Sequence, residues 1–163
     1  MSDTLNSPAF SALSAPAELG NDYPGDLADA SAGRIKRRLG VYGGLNNYGV
    51  NHVTLPVGCQ SALRHWHTRQ DEFVMVLSGE LILLTNSGEQ TLGAGDCAAF
   101  PAGRADGHAL VNRSATEATY LEIGDRTAGD EVDYPDVDMA VRWIDGKEFF
   151  VRRSDGSIIK KVG

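Results

Sequence analysis

Cysteine is scarce in this chain: there are two, Cys59 and Cys97. Two is too few for a disulfide framework, and their spacing fits no zinc motif. Both are read as free thiols in a reducing compartment. Long apolar runs are missing as well. A helical membrane span needs about 18 consecutive apolar residues. The longest strongly apolar stretch, Phe73 to Leu84, is broken by Ser78, Gly79 and Glu80. The first residues lack the basic and apolar regions of a secretory signal, so a cytoplasmic location is expected. Positive charge is also in short supply. Fifteen Lys and Arg face 22 Asp and Glu, a formal net charge of −7. Such a chain gains no general attraction to nucleic acid or anionic lipid, and neither is expected as a partner.

The length of 163 residues fits one domain with arms. A domain of this size hides roughly 70% of its unfolded surface and needs no disulfide or zinc to fold. Residues 1–33 contain no Lys or Arg and are rich in Ala, Ser, Pro, Gly and Asp. They are expected to form an N-terminal arm, partly flexible or laid over a neighbour. Arg34, Lys36, Arg37 and Arg38 follow, either as a solvated edge or as an anion-contacting or inter-subunit segment.

The texture changes over residues 34–126, the expected main domain. Short runs of Val, Leu, Phe and Tyr alternate with turn signals such as Ser78-Gly79, Asn86-Ser87-Gly88 and Gly93-Ala94-Gly95. Short strands with frequent glycine turns predict an all-β sandwich or barrel. The expected strands lie near 47–55, 60–67, 72–78, 80–86, 89–92, 96–100, 107–113 and 117–124. Cys97 falls in one of them and is expected to pack in the core. Residues 127–163 begin as an acidic, exposed connector. They end in two apolar runs flanking Asp145-Gly146, a hairpin signal, and this hairpin is expected to pack outside the barrel.

The chemistry concentrates at His65 and His67. On a strand, residues two apart share a face and lie roughly 7 Å apart, so both imidazoles can reach one point. Thr68 to Asp71 separate His67 from Glu72. If that tetrapeptide is a hairpin loop, Glu72 stands almost opposite His67 and joins the pair. Glu72 opens an otherwise apolar strand, where an unpaired carboxylate is costly and a metal would resolve the cost. His108 shares strand parity with Leu110 and Asn112 and can return to the same site across a closed barrel. Histidines with one carboxylate suit iron, manganese, nickel, copper or zinc. They do not suit magnesium or calcium.

Gly58, His65-x-His67, Glu72 and Gly79 resemble the first motif of the cupins. Gly95, Pro101-x-Gly103, His108 and Asn112 resemble the second. Two spacings depart from the family pattern. Six residues rather than five follow Gly58, and four rather than two separate Gly103 from His108. Tyr23-Pro24, the Arg34–Arg38 segment and residues 134–138 are further similar to small single-domain bacterial cupins without an assigned reaction. The resemblance implies a double-stranded β-helix, or jelly-roll barrel. It implies a divalent transition metal on His65, His67, Glu72 and His108, a small-molecule ligand and a homodimer, and the exposed N-terminal arm and edge strands, which invite pairing between chains, place the 20–45 segment near its interface. It fixes neither substrate nor catalytic residue.

Three functions follow. The first is a metal-dependent enzyme, with dioxygenase-type oxidoreductase chemistry on a small organic acid or oxygenated molecule ahead of non-redox isomerase or lyase chemistry. The second is a non-enzymatic small-molecule binder using the barrel mouth. The third is a structural cupin with a vacant site, disfavoured because all four candidate ligands are present. Asn112 is either a site residue or a structural turn partner.

Overall fold

Fourteen short strands follow one another through the computed structural model, which describes residues 8–163. The first are β1 (Ala17–Leu19) and β2 (Ile35–Arg37), followed by one helical turn, α1 (Leu39–Tyr42). Next come β3 (Tyr48–Leu55), β4 (Trp66–His67), β5 (Glu72–Ser78), β6 (Glu80–Thr85) and β7 (Gly88–Gly93). β8 (Cys97–Phe100), β9 (Ala109–Val111) and β10 (Ala118–Asp125) complete the barrel strands. β11 (Val132–Tyr134), β12 (Met139–Ile144), β13 (Lys147–Val151) and β14 (Ile158–Lys161) end the chain. No helix among the described residues is long and apolar enough to cross a membrane.

The barrel is an all-β jelly roll. One sheet runs β1-β2-β3-β10-β5-β8 and another runs β7-β6-β9. Alternation along the strands decides what lies between them. On β5, Val74 and Val76 are buried while Phe73 and Leu77 are exposed. On β3 and β10, Val53, Leu55, Ala118 and Tyr120 turn inward on the same principle. Leu81, Leu83, Leu92 and Leu110 meet them from the second sheet, forming one core. Burial of each large side chain contributes about 1.5–3 kcal/mol. The order of the β5 faces therefore matches the sequence pattern, and Glu72 begins the inward row.

Several expectations need correction. Residues 60–67 do not form a continuous strand. Only Trp66–His67 is one, with isolated bridges from Gln60 to Val111 and from His65 to His108. Gly58, at φ 80°, opens a turn closed by the Cys59 amide donating to the Pro56 carbonyl. The Ser61 hydroxyl then takes the Leu110 amide, so the chain crosses to β9 rather than joining a ladder. Cys97 is exposed, because it occupies the outward position of β8. Cys59 is the buried thiol.

Nor is the acidic segment merely an exposed connector. β11 lies within it and pairs with both β12 and β4, inside a third sheet of order β14-β13-β12-β11-β4. The expected hairpin joins β12 to β13 through Asp145 and Gly146, both at positive φ. Tyr134, Met139, Val141 and Phe150 form a second core, against which Tyr23 and Leu27 of the N-terminal segment pack.

The basic cluster is engaged internally and ties that segment down. β1 pairs with β2, and β2 pairs with β3. Arg34 donates to the carbonyls of Gly20 and Ser61. Arg37 donates to the Ala15 carbonyl, Arg38 pairs with Glu18, and Lys36 reaches Glu122 at 2.9 Å. The expected flexibility of the arm's first residues lies outside the described residues.

Candidate metal centre

His65 and His108 face each other across an antiparallel bridge. Each backbone amide donates to the other's carbonyl, at 3.2 and 2.9 Å. His67 follows on β4, and Glu72 arrives at the start of β5. The four residues between His67 and Glu72 do not make a two-strand hairpin. β4 pairs with β11, whereas β5 pairs with β10 and β8, so His67 and Glu72 sit on different sheets. They meet across the barrel interior instead. This is a correction to the expected ladder pairing, with the same residues brought together by another route.

All three imidazoles turn Nε2 toward one atom, Glu72 Oε2. The distances are 3.6 Å from His65, 3.4 Å from His67 and 2.7 Å from His108. Ligand atoms of His65, His67 and Glu72 all lie within 4.8 Å of one another. Glu72 Oε2 is buried, and the one short contact it makes among the described residues is that with His108. Burying an ionised carboxylate normally carries a large cost unless cationic or hydrogen-bonding groups offset it. Two donors each about 2.1 Å from a common ion stand roughly 3.0–3.4 Å apart, close to the spacings of His65 and His67 from Glu72, whereas His108 stands at hydrogen-bond distance from Glu72 and falls outside that group of three. The nitrogen and oxygen donor set fits a divalent transition metal.

The surroundings orient these donors. His65 Nδ1 donates to the Leu63 carbonyl at 2.8 Å, which leaves its Nε2 lone pair for the site. His67 Nδ1 meets Asp130 Oδ2 at 2.5 Å. Asp130 is only 4% exposed, and its other oxygen accepts the backbone amides of Arg69 and Gln70. Sequence reasoning missed Asp130. It lies among many acidic residues, and only the pairing of β11 with β4 carries it behind His67. Phe100 stacks flat on His108, with ring centroids 3.5 Å apart.

Charge is strongly coupled here. Burial opposes a charged His67, yet the contacts to Asp130 and Glu72 outweigh it and push the imidazole up to about 10. Burial likewise opposes ionised Glu72, but His108, His65 and His67 hold its carboxyl well below the usual range. Burial and the neighbouring imidazoles push His108 down against the pull of Glu72. Three imidazoles competing for one carboxylate is an arrangement that a cation in their midst would relieve.

A cavity of about 150 Å³ leads from His67, Glu72 and His108 outward past Trp66, Leu83, Phe100, Pro101 and Arg104. Its lining mixes the polar groups of His67, Glu72 and His108 with apolar side chains, and Arg104 and Asp106 add charge. His52 stands apart on β3, opposite Leu121. Asn112 is a turn partner. Fully buried, it donates to the carbonyls of Leu55 and Thr116 and accepts from Ser114.

Comparisons with known proteins agree with this architecture. Residues 51–124 match the Cupin domain family. A sugar phosphate isomerase from a cupin superfamily, from Silicibacter pomeroyi, is 43% identical. That match covers 96% of this chain and 100% of the other, with a TM-score of 0.88. A putative sugar phosphate isomerase from Acidithiobacillus ferrooxidans is 28% identical over 80% and 83% of the two chains, TM-score 0.71. A polyketide cyclase from Streptomyces resistomycificus, 15% identical over 72% and 78%, TM-score 0.58, shares the fold. No match was found among curated proteins.

Proposed function

The chain belongs to the cupin superfamily, and from that premise we propose that it is a metal-dependent isomerase of a small phosphorylated sugar. The observation that carries the metal half is one buried carboxylate oxygen, Glu72 Oε2, faced by three imidazole nitrogens at 2.7–3.6 Å. His65, His67, Glu72 and His108 would hold the ion, whose donor set suits iron, manganese, nickel, copper or zinc. When bound, it polarises a carbonyl or hydroxyl oxygen of the substrate. The reaction half rests on likeness to two proteins named sugar phosphate isomerases, at 43% and 28% identity. That likeness weighs for non-redox chemistry over the dioxygenase reading, which would use the same ion.

The chain's own residues support such a site. Leu63 and Asp130 fix the imidazoles of His65 and His67 from behind. Phe100 braces His108, and together with Trp66 and Leu83 it limits water at the floor. Low local dielectric strengthens every charge interaction there. The protein acts as a homodimer, with the 20–45 segment near the interface. Support comes from Leu19, Val41 and Leu45, which are 76%, 58% and 38% exposed in or beside that segment.

The test is incubation of the metal-loaded protein with a panel of aldose and ketose phosphates in D₂O, followed by NMR. Interconversion with deuterium entering next to the carbonyl is expected, and a chelator should stop it. Oxygen uptake without interconversion would overturn the isomerase and restore the dioxygenase.

A further inference from the structure

Four residues separate Gly103 from His108, and the first of them, Arg104, is exposed and lines the cavity that leads to His67, Glu72 and His108. We propose that Arg104 is the specificity-determining handle for the phosphate group of the substrate. This rests on the reading of the site as one for a phosphorylated sugar.

The loop is built to hold its position. The Gly103 amide donates to the carbonyl of His67 at 2.8 Å, so the loop starts on a candidate metal ligand. The Arg104 amide donates to the Pro101 carbonyl, and the Asp106 amide donates to the Arg104 carbonyl at 2.8 Å. Asn86 grips the far side. Its backbone amide donates to Asp106 Oδ1 at 2.7 Å, and its side chain donates to the Ala105 carbonyl at 3.1 Å. The backbone around Arg104 is therefore bound on both sides.

Its side chain is not. Most arginines elsewhere serve the protein itself, as Arg64 pairs with Asp136, Arg113 with Glu89 and Arg142 with Asp133, while the likewise unpaired Arg69 does not line this cavity. The Arg104 guanidinium makes no hydrogen bond or ion pair with any described residue, although it is exposed in an acidic chain. The other charged groups along the cavity are His67, Glu72, His108 and Asp106. A metal ion would neutralise the floor. Asp106 is turned toward Asn86. Arg104 is then the one permanent side-chain cation lining this cavity, and its planar fork matches a phosphate bidentately. A ligand with its carbonyl end at the floor would place its anionic end here.

Glycerol 2-phosphate is a suitable probe, because it carries the phosphate and no carbonyl to isomerise. Its binding to the metal-loaded protein is measured by calorimetry, with glycerol as the neutral control. The wild type should bind the phosphate and ignore glycerol, and Arg104→Ala should weaken binding at least tenfold. Arg104→Lys should fall between, since an ammonium keeps the charge and loses the fork. Metal content and melting temperature of both variants should equal the wild type, which a structural role would not allow. Absence of glycerol 2-phosphate binding to the wild type, or binding by Arg104→Ala within twofold of it, would overturn the proposal. If Arg104→Ala loses the probe while no sugar phosphate is interconverted, the handle stands and the isomerase falls. If sugar phosphates are interconverted and Arg104→Ala binds the probe unchanged, the handle falls alone.

Discussion

Asp130 shows how a residue far from the motif can govern it. It fixes the His67 ring through Nδ1 and is itself fixed by two backbone amides. Partners of this kind typically change metal affinity by about 10- to 100-fold. Asp130→Asn should weaken metal binding by that order, measured by competition with a chromophoric chelator, while leaving one unfolding transition. Metal-free protein should also report the His67 interaction through pH. The folded imidazole titrates at about 10 against 6.5 for the free group. A raised value stabilises the fold fully below pH 6.5 and loses that stabilisation as pH climbs toward about 10. Melting temperatures of the metal-free protein should therefore fall over this window, and the fall should shrink in Asp130→Asn. His65, His67 and Glu72 stood out because their spacing repeats a known motif, and His108, two residues off that pattern, stood out as the one histidine near the second motif. Asp130 and Arg104 did not. One sits in an acidic crowd whose members look alike in sequence, and the other lies in a loop whose path only the fold defines.

Among the elements, the tight turns impose the strictest demands. Gly79 joins β5 to β6 at φ 76°, and a Cβ there would lie 2.8 Å from the Glu117 carbonyl oxygen and 2.9 Å from Ala118 Cα. Both the backbone conformation and the contact oppose a side chain. Gly79→Ala should cost about 2 kcal/mol or more, read as a lower midpoint in urea. Gly107, beside His108, is crowded differently: a Cβ would fall 2.7 Å from Pro135 Cγ. Strands with clear inward and outward alternation, such as β5, were legible from the sequence. The region 60–67 was not, because its apolar residues serve a crossing between sheets. Its bridges from Gln60 to Val111 and from His65 to His108 depend on partners more than forty residues away. The short strands β1, β2 and β11 were equally hidden, since three residues carry too little pattern. Cys97 was misplaced by a different fault, as an apolar strand position can face either way.

For the whole molecule, the N-terminal segment and the C-terminal sheet close around the barrel through polar ties as well as a second core. Lys36 is the clearest tie. It meets Glu122, which Asn51 also contacts at 2.9 Å. Burial pushes the Glu122 carboxyl up, yet Lys36 and Asn51 together hold it below its usual value. A depressed carboxylate stabilises the fold above its unfolded value and is lost as pH falls through the folded one. Lys36→Ala should therefore move the acid unfolding midpoint, followed by circular dichroism, to higher pH than in the wild type. The proposed homodimer belongs to this scale too. Leu19→Glu combined with Val41→Glu should convert a sedimenting dimer to monomer, and a wild-type monomer at micromolar concentration would contradict the dimer. The most direct measurement remains elemental analysis of protein purified without a metal-binding tag, beside the double variant His65→Ala/His67→Ala. The account predicts about one transition-metal ion per chain, absent from the variant while its β-sheet spectrum persists. A wild type without metal, or a double variant that keeps it, would contradict the account.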